Sequence, residues 1–243
     1  MKRLAYLAAL TCLGTSHSFA ETTYGLGIGV NAGNSLYKDI GTETGVLPIW
    51  IIQSDKFLLI GPQFSYEFAT FSGLEFAFIG DYRGDGFSGS DGAIFNGMKD
   101  RSGTYELGLE IEYESDFGDF SFAVLNDVLG EHEGNEISLT YSLPFINRSS
   151  VVTPYVSLIN YSEDLVDYYY GVRANEATES RAFYEGKSTV NYEIGVDTQW
   201  RFGDHHIIAA NLSYTAHGSE IEDSPIVDGN GTFNTLIGYA YEF

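Results

Sequence analysis

Residues 233–243 read FNTLIGYAYEF and alternate between two kinds of side chain. Most odd positions are large and apolar, whereas most even positions are small or polar. Because successive side chains of a β-strand point to opposite faces of a sheet, this alternation predicts a strand with one apolar face. A tilted strand needs roughly 9–11 residues to cross a bilayer. The stretch is therefore long enough for a membrane-spanning strand.

The same alternation recurs inside the chain, most clearly at 105–114 and 190–200, and in shorter form at 137–143 and 210–216. Such strands suit a β-sandwich, in which the apolar faces form the core. They equally suit a membrane barrel, in which the apolar face meets lipid and the polar face lines the lumen. The alternation alone leaves both architectures open.

The polar faces of these strands are strongly acidic. In a barrel these faces predict an acidic, water-filled lumen. Its carboxylates either form a cation-selective lining or pair with basic residues such as Arg101 and Arg201. The predicted lumen carboxylates are Glu106, Glu110, Glu112, Glu114, Glu193 and Asp197.

The first twenty residues have the pattern of a secretory signal peptide. Lys2 and Arg3 precede a short apolar stretch at 4–14, and small residues around Ala20 suit a cleavage site. The apolar stretch is too short for a membrane helix, which needs roughly 20 residues. We therefore predict a signal peptide at 1–20 and a single barrel domain at 21–243. Together with the aromatic last strand, the signal peptide favours the barrel over the sandwich.

The composition restricts the class of partner. The chain has 34 acidic and 12 basic residues, for a net charge of −22. Nucleic acid is excluded as a natural partner, because phosphate backbones are bound by Lys and Arg. Strong acidity also occurs in disordered chains. Here the 44% hydrophobic and 15% aromatic content predicts a folded protein instead.

Candidate strands give the barrel its size. The connections at 83–102, 162–187 and 217–231 are long and the others short, as expected for outer loops and periplasmic turns. Barrels of single bacterial chains have an even number of strands. The eleven candidates therefore include an error, and we predict a barrel of ten to twelve strands. We expect the error in the first 70 residues, where Pro48 and Pro62 interrupt the pattern, or in a missed strand within 162–187. The candidates are 24–33, 44–53, 56–68, 74–82, 103–114, 119–129, 135–143, 151–161, 188–201, 206–216 and 232–243.

The aromatic ending Tyr239, Tyr241 and Phe243 resembles the C-terminal signal of bacterial outer-membrane barrels. This resemblance implies recognition by the barrel assembly machinery. It also implies a final location among the lipid and lipopolysaccharide of the outer membrane of a Gram-negative bacterium.

Several further stretches resemble the MipA/OmpV family, the MltA-interacting proteins. The most specific runs from Asp167 through Tyr168, Tyr169, Tyr170 and Gly171 to Val172, and continues with Arg173, Asn175, Glu176, Ala177, Arg181 and Tyr184. Ser224, Pro225 and Val227 resemble the family motif before the last strand, and Asp127, Val128, His132 and Gly134 resemble another element.

Membership of this family implies a non-enzymatic protein without a cofactor. The type member is similar to a scaffold that joins a lytic transglycosylase to a penicillin-binding murein synthase in peptidoglycan assembly. Other members resemble passive porin-like channels, here with a preference for cations, or surface adhesins. These alternatives stay open at the level of the sequence.

The segment 162–187 combines the aromatic run with two arginines. The three tyrosines suit an aromatic belt or a loop folded into the barrel mouth, and alternatively a recognition patch. We predict that the segment folds against the mouth and narrows it. The predicted anchors are Arg173 and Arg181, bound to lumen carboxylates such as Glu193 or Glu110.

The histidines His132, His205, His206 and His217 are the candidates for a catalytic or metal site. No serine lies in a nucleophile-elbow pattern, which argues against a hydrolase. Adjacent residues of a strand point to opposite faces, so His205 and His206 cannot bind one ion from within a strand. The sequence therefore predicts a protein that is not an enzyme.

Overall fold

A computed structural model describes residues 22–243. They form one antiparallel sheet that closes on itself. The predicted signal peptide at 1–20 lies outside the described residues and stays a prediction.

Thirteen strands and two short helices follow one another in the described part of the chain. The strands are β1 (Thr23–Asn34), β2 (Thr42–Gln53), β3 (Phe57–Ile60), β4 (Gln63–Phe71), β5 (Leu74–Arg83), β6 (Thr104–Tyr113), β7 (Asp119–Asp127), β8 (Asn135–Ser142), β9 (Phe145–Ile146), β10 (Ser150–Tyr161), β11 (Thr189–Phe202), β12 (His206–Ala216) and β13 (Gly231–Glu242). The helices are α1 (Glu163–Tyr170) and α2 (Ser219–Glu222), and a single 3₁₀ turn spans Ala93–Phe95.

The sheet is closed by the pairing of its first and last strands. β1 pairs with β2 on one side and with β13 on the other, and every later strand pairs in antiparallel order with its neighbours. The two-residue β9 continues the line of β8 along β10. The described residues thus form a barrel of twelve strands, an even number within the predicted range.

The first 70 residues held the error in the strand count. The candidate at 56–68 is two strands, β3 and β4, joined by the two-residue loop Gly61–Pro62. Gly61 has φ +54°, a conformation that glycine adopts without strain at such hairpin loops. Pro48 does not interrupt β2. Proline has no N–H to donate, and the ladder to β3 covers only Ile51–Gln53, so no hydrogen bond to β3 is lost at Pro48. The segment 162–187 contains α1 rather than a missed strand.

The two faces of the barrel wall are separated as the alternation predicts. Large apolar side chains point outward, with Leu26 60%, Ile194 59% and Ile237 58% exposed. Inward neighbours are buried, for example Leu236 at 5% exposure. A continuous exposed apolar band around a closed barrel matches a surface that meets lipid.

The ends of the barrel differ. Both ends of the described chain and the connections at 54–56, 72–73, 114–118, 143–149 and 203–205 lie at one end, which we call the short-turn end. The connections at 35–41, 84–103, 162–188 and 217–230 lie at the opposite end. No described helix is both long enough and apolar enough to cross a bilayer.

Candidate functional site

A packed layer closes the end opposite the short turns. It is built from the connections 35–41, 84–103, 128–134, 162–188 and 217–230, which we call the cap. Four of these connections, all except 128–134, leave the barrel at different points of its rim and contribute to one core, so they meet across the mouth. The buried residues of this core are Leu36, Tyr37, Phe87, Phe95, Met98, Tyr161, Leu165, Val166, Tyr169, Tyr170, Val172, Ile221, Ile226 and Val227.

Helix α1 supplies the centre of the cap. Leu165, Val166, Tyr169 and Tyr170 are all buried and lie one turn apart in pairs, so they share one face of the helix. The helix ends at Gly171, where an added Cβ would lie 2.2 Å from the carbonyl oxygen of Asp167. The aromatic run seen in the sequence is therefore a buried helix face with a tightly packed end.

Tyr37 joins the first connection to this helix. Its hydroxyl lies 3.0 Å from the carbonyl oxygens of Asp85 and Tyr169. Its ring stacks on the ring of Tyr170, with the ring centroids 5.6 Å apart. The rings of Phe87 and Phe95 lie edge-on to it, at centroid distances of 5.2 Å and 5.7 Å. Aromatic pairs in this geometry stabilise a core beyond the area they bury.

Arg101 and Glu176 form the main ion pair of the cap. Two guanidinium nitrogens of Arg101 donate to the two carboxylate oxygens of Glu176, and its Nε donates to the carbonyl of Tyr168 at 2.6 Å. Burial of Glu176 raises its pKa, but the hydrogen bonds from Arg101 and from the backbone N–H groups of Lys99 and Arg173 outweigh burial and hold this pKa below its ordinary value. The pair thus ties 84–103 to 162–188.

Arg83 organises a second buried network, at the junction of cap and lumen. It donates to Glu106 at 2.8 Å, Asp85 at 3.2 Å and Glu136 at 2.5 Å, and lies over the ring of Tyr161. Arg83 is on β5 and Glu136 on β8, which are separated in the sheet by two strands. The contact therefore crosses the interior of the barrel rather than running along its wall.

The connection 128–134 adds His132 to this network. The Asp127 carboxylate accepts the backbone N–H groups of Leu129, Gly130, His132 and Glu133. This arrangement fixes the loop and places His132 Nε2 3.0 Å from the Glu106 carboxylate. The family-like residues Asp127 and His132 thus have a structural explanation within the cap.

The predicted anchors of the 162–187 segment are wrong. Arg181 is buried but donates to the carbonyl oxygens of Ile94, Asn96 and Glu176. Arg173 has an exposed side chain. Both residues lie on the cap, and the carboxylates of Glu110 and Glu193 instead accept from neighbouring hydroxyl groups.

Five of the six predicted lumen carboxylates, all except Glu114, lie on the inward faces of their strands, but their partners differ from the prediction. Glu110 accepts from Ser121, Glu193 from Tyr155 and Thr215, and Asp197 from Asn211. Glu106 pairs with Arg83 and His132, not with Arg101 or Arg201. Arg201 pairs with Glu242. Glu112 lies opposite Glu75 in the β5–β6 ladder, and Glu114 is exposed just beyond β6.

The remaining family-like residues also lie in the cap or on its edge. Ser224 donates to the carbonyl of Tyr170 at 2.6 Å, and the Pro225 carbonyl accepts from Lys38 at 2.9 Å. Val227 forms an isolated bridge with Tyr37. Ala177 is exposed at the outer surface. The motif at 224–227 therefore fastens the last long connection to the first.

The aromatic residues of the last strand point outward. Tyr239, Tyr241 and Phe243 are all exposed on the wall, and Phe243 donates its backbone N–H to Tyr24 of β1. His205 and His206 lie beside them, with His205 Nδ1 2.9 Å from the Glu242 carbonyl and His206 Nδ1 2.8 Å from the Tyr239 hydroxyl. Within residues 22–243, no group of three or more His, Cys, Asp or Glu side chains is arranged to hold a metal ion.

The closed antiparallel barrel, its exposed apolar band and the contrast between short turns and long connections define the class of bacterial outer-membrane β-barrels. Within that class, the family described as "MltA-interacting protein MipA" matches residues 26–243, and the chain belongs to it.

Named relatives agree with this assignment. Outer membrane protein Omp26La of Vibrio anguillarum is 30% identical over 148 residues, covering 60% of this chain and 57% of that protein. Outer membrane protein OmpV of Vibrio cholerae is 29% identical over 147 residues, with the same coverage. The chain thus matches 57% of the length of these two relatives. The MltA-interacting protein of Escherichia coli K12 is 24% identical over 249 residues, covering 100% of both chains. The protein is therefore an outer-membrane protein.

Proposed function

We propose that this protein is a non-enzymatic scaffold that binds a lytic transglycosylase and a penicillin-binding murein synthase at the periplasmic face of the outer membrane. The observation that carries the proposal is the cap. A buried aromatic core and two buried ion networks fill one end of the barrel, which disfavours a through-going channel. The name of the Escherichia coli relative, MltA-interacting protein, supports a partner of the MltA type.

The short-turn end is the surface that such partners would contact. In outer-membrane barrels the short turns face the periplasm, and murein enzymes act there. This end carries an exposed aromatic residue, Phe117, which is 83% exposed in the turn 114–118. Phe145 and Ile146 of β9 are exposed on the neighbouring connection. Exposed aromatic residues are frequent anchors of protein interfaces.

The test is affinity capture of the detergent-solubilised protein from envelopes, with the bound proteins identified by mass spectrometry. Wild type is expected to retain a lytic transglycosylase and a penicillin-binding protein. Phe117→Ala should reduce this recovery, because it removes an aromatic anchor at the short-turn end. The matched control is Phe183→Ala, since Phe183 is 58% exposed but lies on the cap, and this variant should retain both partners.

Two outcomes would count against the scaffold. One is the reproducible absence of both murein enzymes from the wild-type eluate. The other is an equal loss of partners in the two phenylalanine variants, because the short-turn end would then have no special role. Steady single-channel conductance of the wild type in planar bilayers would favour the cation-leaning pore instead.

A further inference from the structure

A cavity of about 170 Å³ lies directly beneath the cap, inside the barrel. Strands β1 and β10 to β12 supply most of its wall, and Tyr37, Tyr170 and His217 of the cap supply its roof. An apolar cavity of about 150 Å³ is large enough for a benzene ring. The space beneath the cap is therefore large enough for a ligand of that size.

Two buried polar atoms at this cavity have no hydrogen-bond partner within the protein. Asn31 lines the cavity at 3% exposure, and its Oδ1 is unpaired. His217 Nδ1 is unpaired as well, while its Nε2 lies 3.1 Å from the Thr232 hydroxyl. Leaving a buried acceptor unpaired is costly, so the Asn31 oxygen in particular indicates a bound donor.

The wall of the cavity is anionic. Asp85, Glu136 and Glu193 line it. Arg83 pairs with Asp85 and Glu136, and Glu193 accepts hydrogen bonds from the uncharged Tyr155 and Thr215. None of the described residues that line the cavity is a lysine or an arginine. The acceptors therefore favour a ligand that donates hydrogen bonds and carries positive charge.

Tyrosine rings complete the lining. Tyr37, Tyr155, Tyr161 and Tyr170 all contribute to the wall. The faces of aromatic rings attract cations, and cages of such rings together with carboxylates are suited to organic ammonium groups. An aromatic and anionic wall distinguishes such a ligand from a bare metal ion, which prefers oxygen ligands alone.

We propose that this cavity binds a small organic cation, namely a ring-sized compound with a primary ammonium group. The ammonium group donates to Asn31 Oδ1 and the Glu193 carboxylate, and the apolar body lies against the tyrosine rings. This site is independent of the scaffold role, because it lies inside the barrel and not at the short-turn end.

The experiment is isothermal titration calorimetry of the full barrel in detergent, with benzylammonium as the probe and benzyl alcohol as its neutral counterpart. Benzylammonium should bind saturably, and at least about tenfold more tightly than benzyl alcohol, because charge-assisted hydrogen bonds are roughly twice as strong as neutral ones. Glu193→Gln keeps the shape of the side chain, removes its charge, and should weaken binding about tenfold.

Glu75→Gln is the matched control. Glu75 points into the lumen from β5 but does not line the cavity, so this variant should bind benzylammonium as wild type does. Asn31→Leu replaces the unpaired acceptor with an apolar group of similar size and should also weaken the binding of benzylammonium. A shift of the unboiled band on a denaturing gel verifies that each variant is folded.

Equal affinity for the cation and the alcohol would overturn the proposal. Unchanged binding in both folded variants, Glu193→Gln and Asn31→Leu, would overturn it as well, and so would the absence of saturable binding by the wild type.

Discussion

Replacement of Glu176 by glutamine should open the cap while leaving the barrel intact. The substitution keeps the shape of the side chain but leaves the Arg101 guanidinium, which is 1% exposed, without its carboxylate. Breaking a buried ion pair by neutralising one partner costs about 3–5 kcal/mol. The barrel itself depends on continuous backbone ladders, which this substitution does not touch.

The lower bound of that cost sets the size of the expected effect. A loss of about 3 kcal/mol raises the population of the open cap about 150-fold. Hydrogen exchange followed by mass spectrometry measures this directly, because exchange of protected amides scales with the open population. Peptides from 84–103 and 162–188 should exchange faster by that factor, while peptides from β6 and β11 serve as the internal reference.

Two further variants make the measurement specific. Glu179→Gln is the same substitution at an exposed position of the same segment, and it should leave exchange unchanged. The double variant Arg101→Met with Glu176→Leu should recover much of the protection, because apolar pairs often replace buried ion pairs without loss. Unchanged protection of the cap in Glu176→Gln, or equal loss of protection in the strands, would refute the reasoning.

Three other predictions concern the cap and the last strand. Burial lowers the pKa of His217 from 6.5 to about 4, so protonation of His217 favours the open cap. The free energy that protects the cap from hydrogen exchange should fall by about 3 kcal/mol as the pH drops from 6.5 to 4. His217→Asn should abolish this pH dependence. Arg181→Ala should increase protease cleavage of the cap, because three backbone carbonyls lose a charged donor worth about 1.5–3 kcal/mol each, whereas exposed Arg173→Ala should not. Phe243→Ser should lower the outer-membrane level measured by fractionation, whereas Phe233→Ser, at the other end of β13, should not.

The barrel could be predicted from the sequence because its pattern is local. Each strand has its own alternation, imposed by lipid outside and water inside. A strand such as 105–114 can therefore be recognised without reference to the others. The exception is the pair β3 and β4, where a two-residue loop leaves almost no break in the pattern and Pro62 obscures the reversal. The even strand number that closure requires indicated that one candidate was wrong. The two prolines pointed to the first 70 residues as one of the two segments in which the error was expected.

The cap was harder to predict because its contacts join distant parts of the chain. The sequence shows that Arg101 and Glu176 carry opposite charges, but not that the connections 84–103 and 162–188 bring them together. Arg83 was missed although a signal existed. It is a basic residue on the inward face of β5, diagonal to Glu106 on the next strand, within an otherwise acidic lumen. The cavity beneath the cap has no sequence pattern, because its residues come from seven strands and several loops.

The positions of the family-like residues bear on where a partner could bind. Tyr169, Tyr170 and Val172 are buried in the cap core, Glu176 and Arg181 are occupied by its hydrogen bonds, and Ser224 donates to the backbone of α1. Side chains that hold one another in this way have little surface left for a second protein. The residues that carry the family resemblance therefore specify a closed barrel end. Under the proposed scaffold role, recognition of a periplasmic partner then rests on the short-turn end, where Phe117 is exposed. This division explains why the cap variants above are expected to alter loop protection, and why Phe117→Ala is the variant expected to alter capture of murein enzymes.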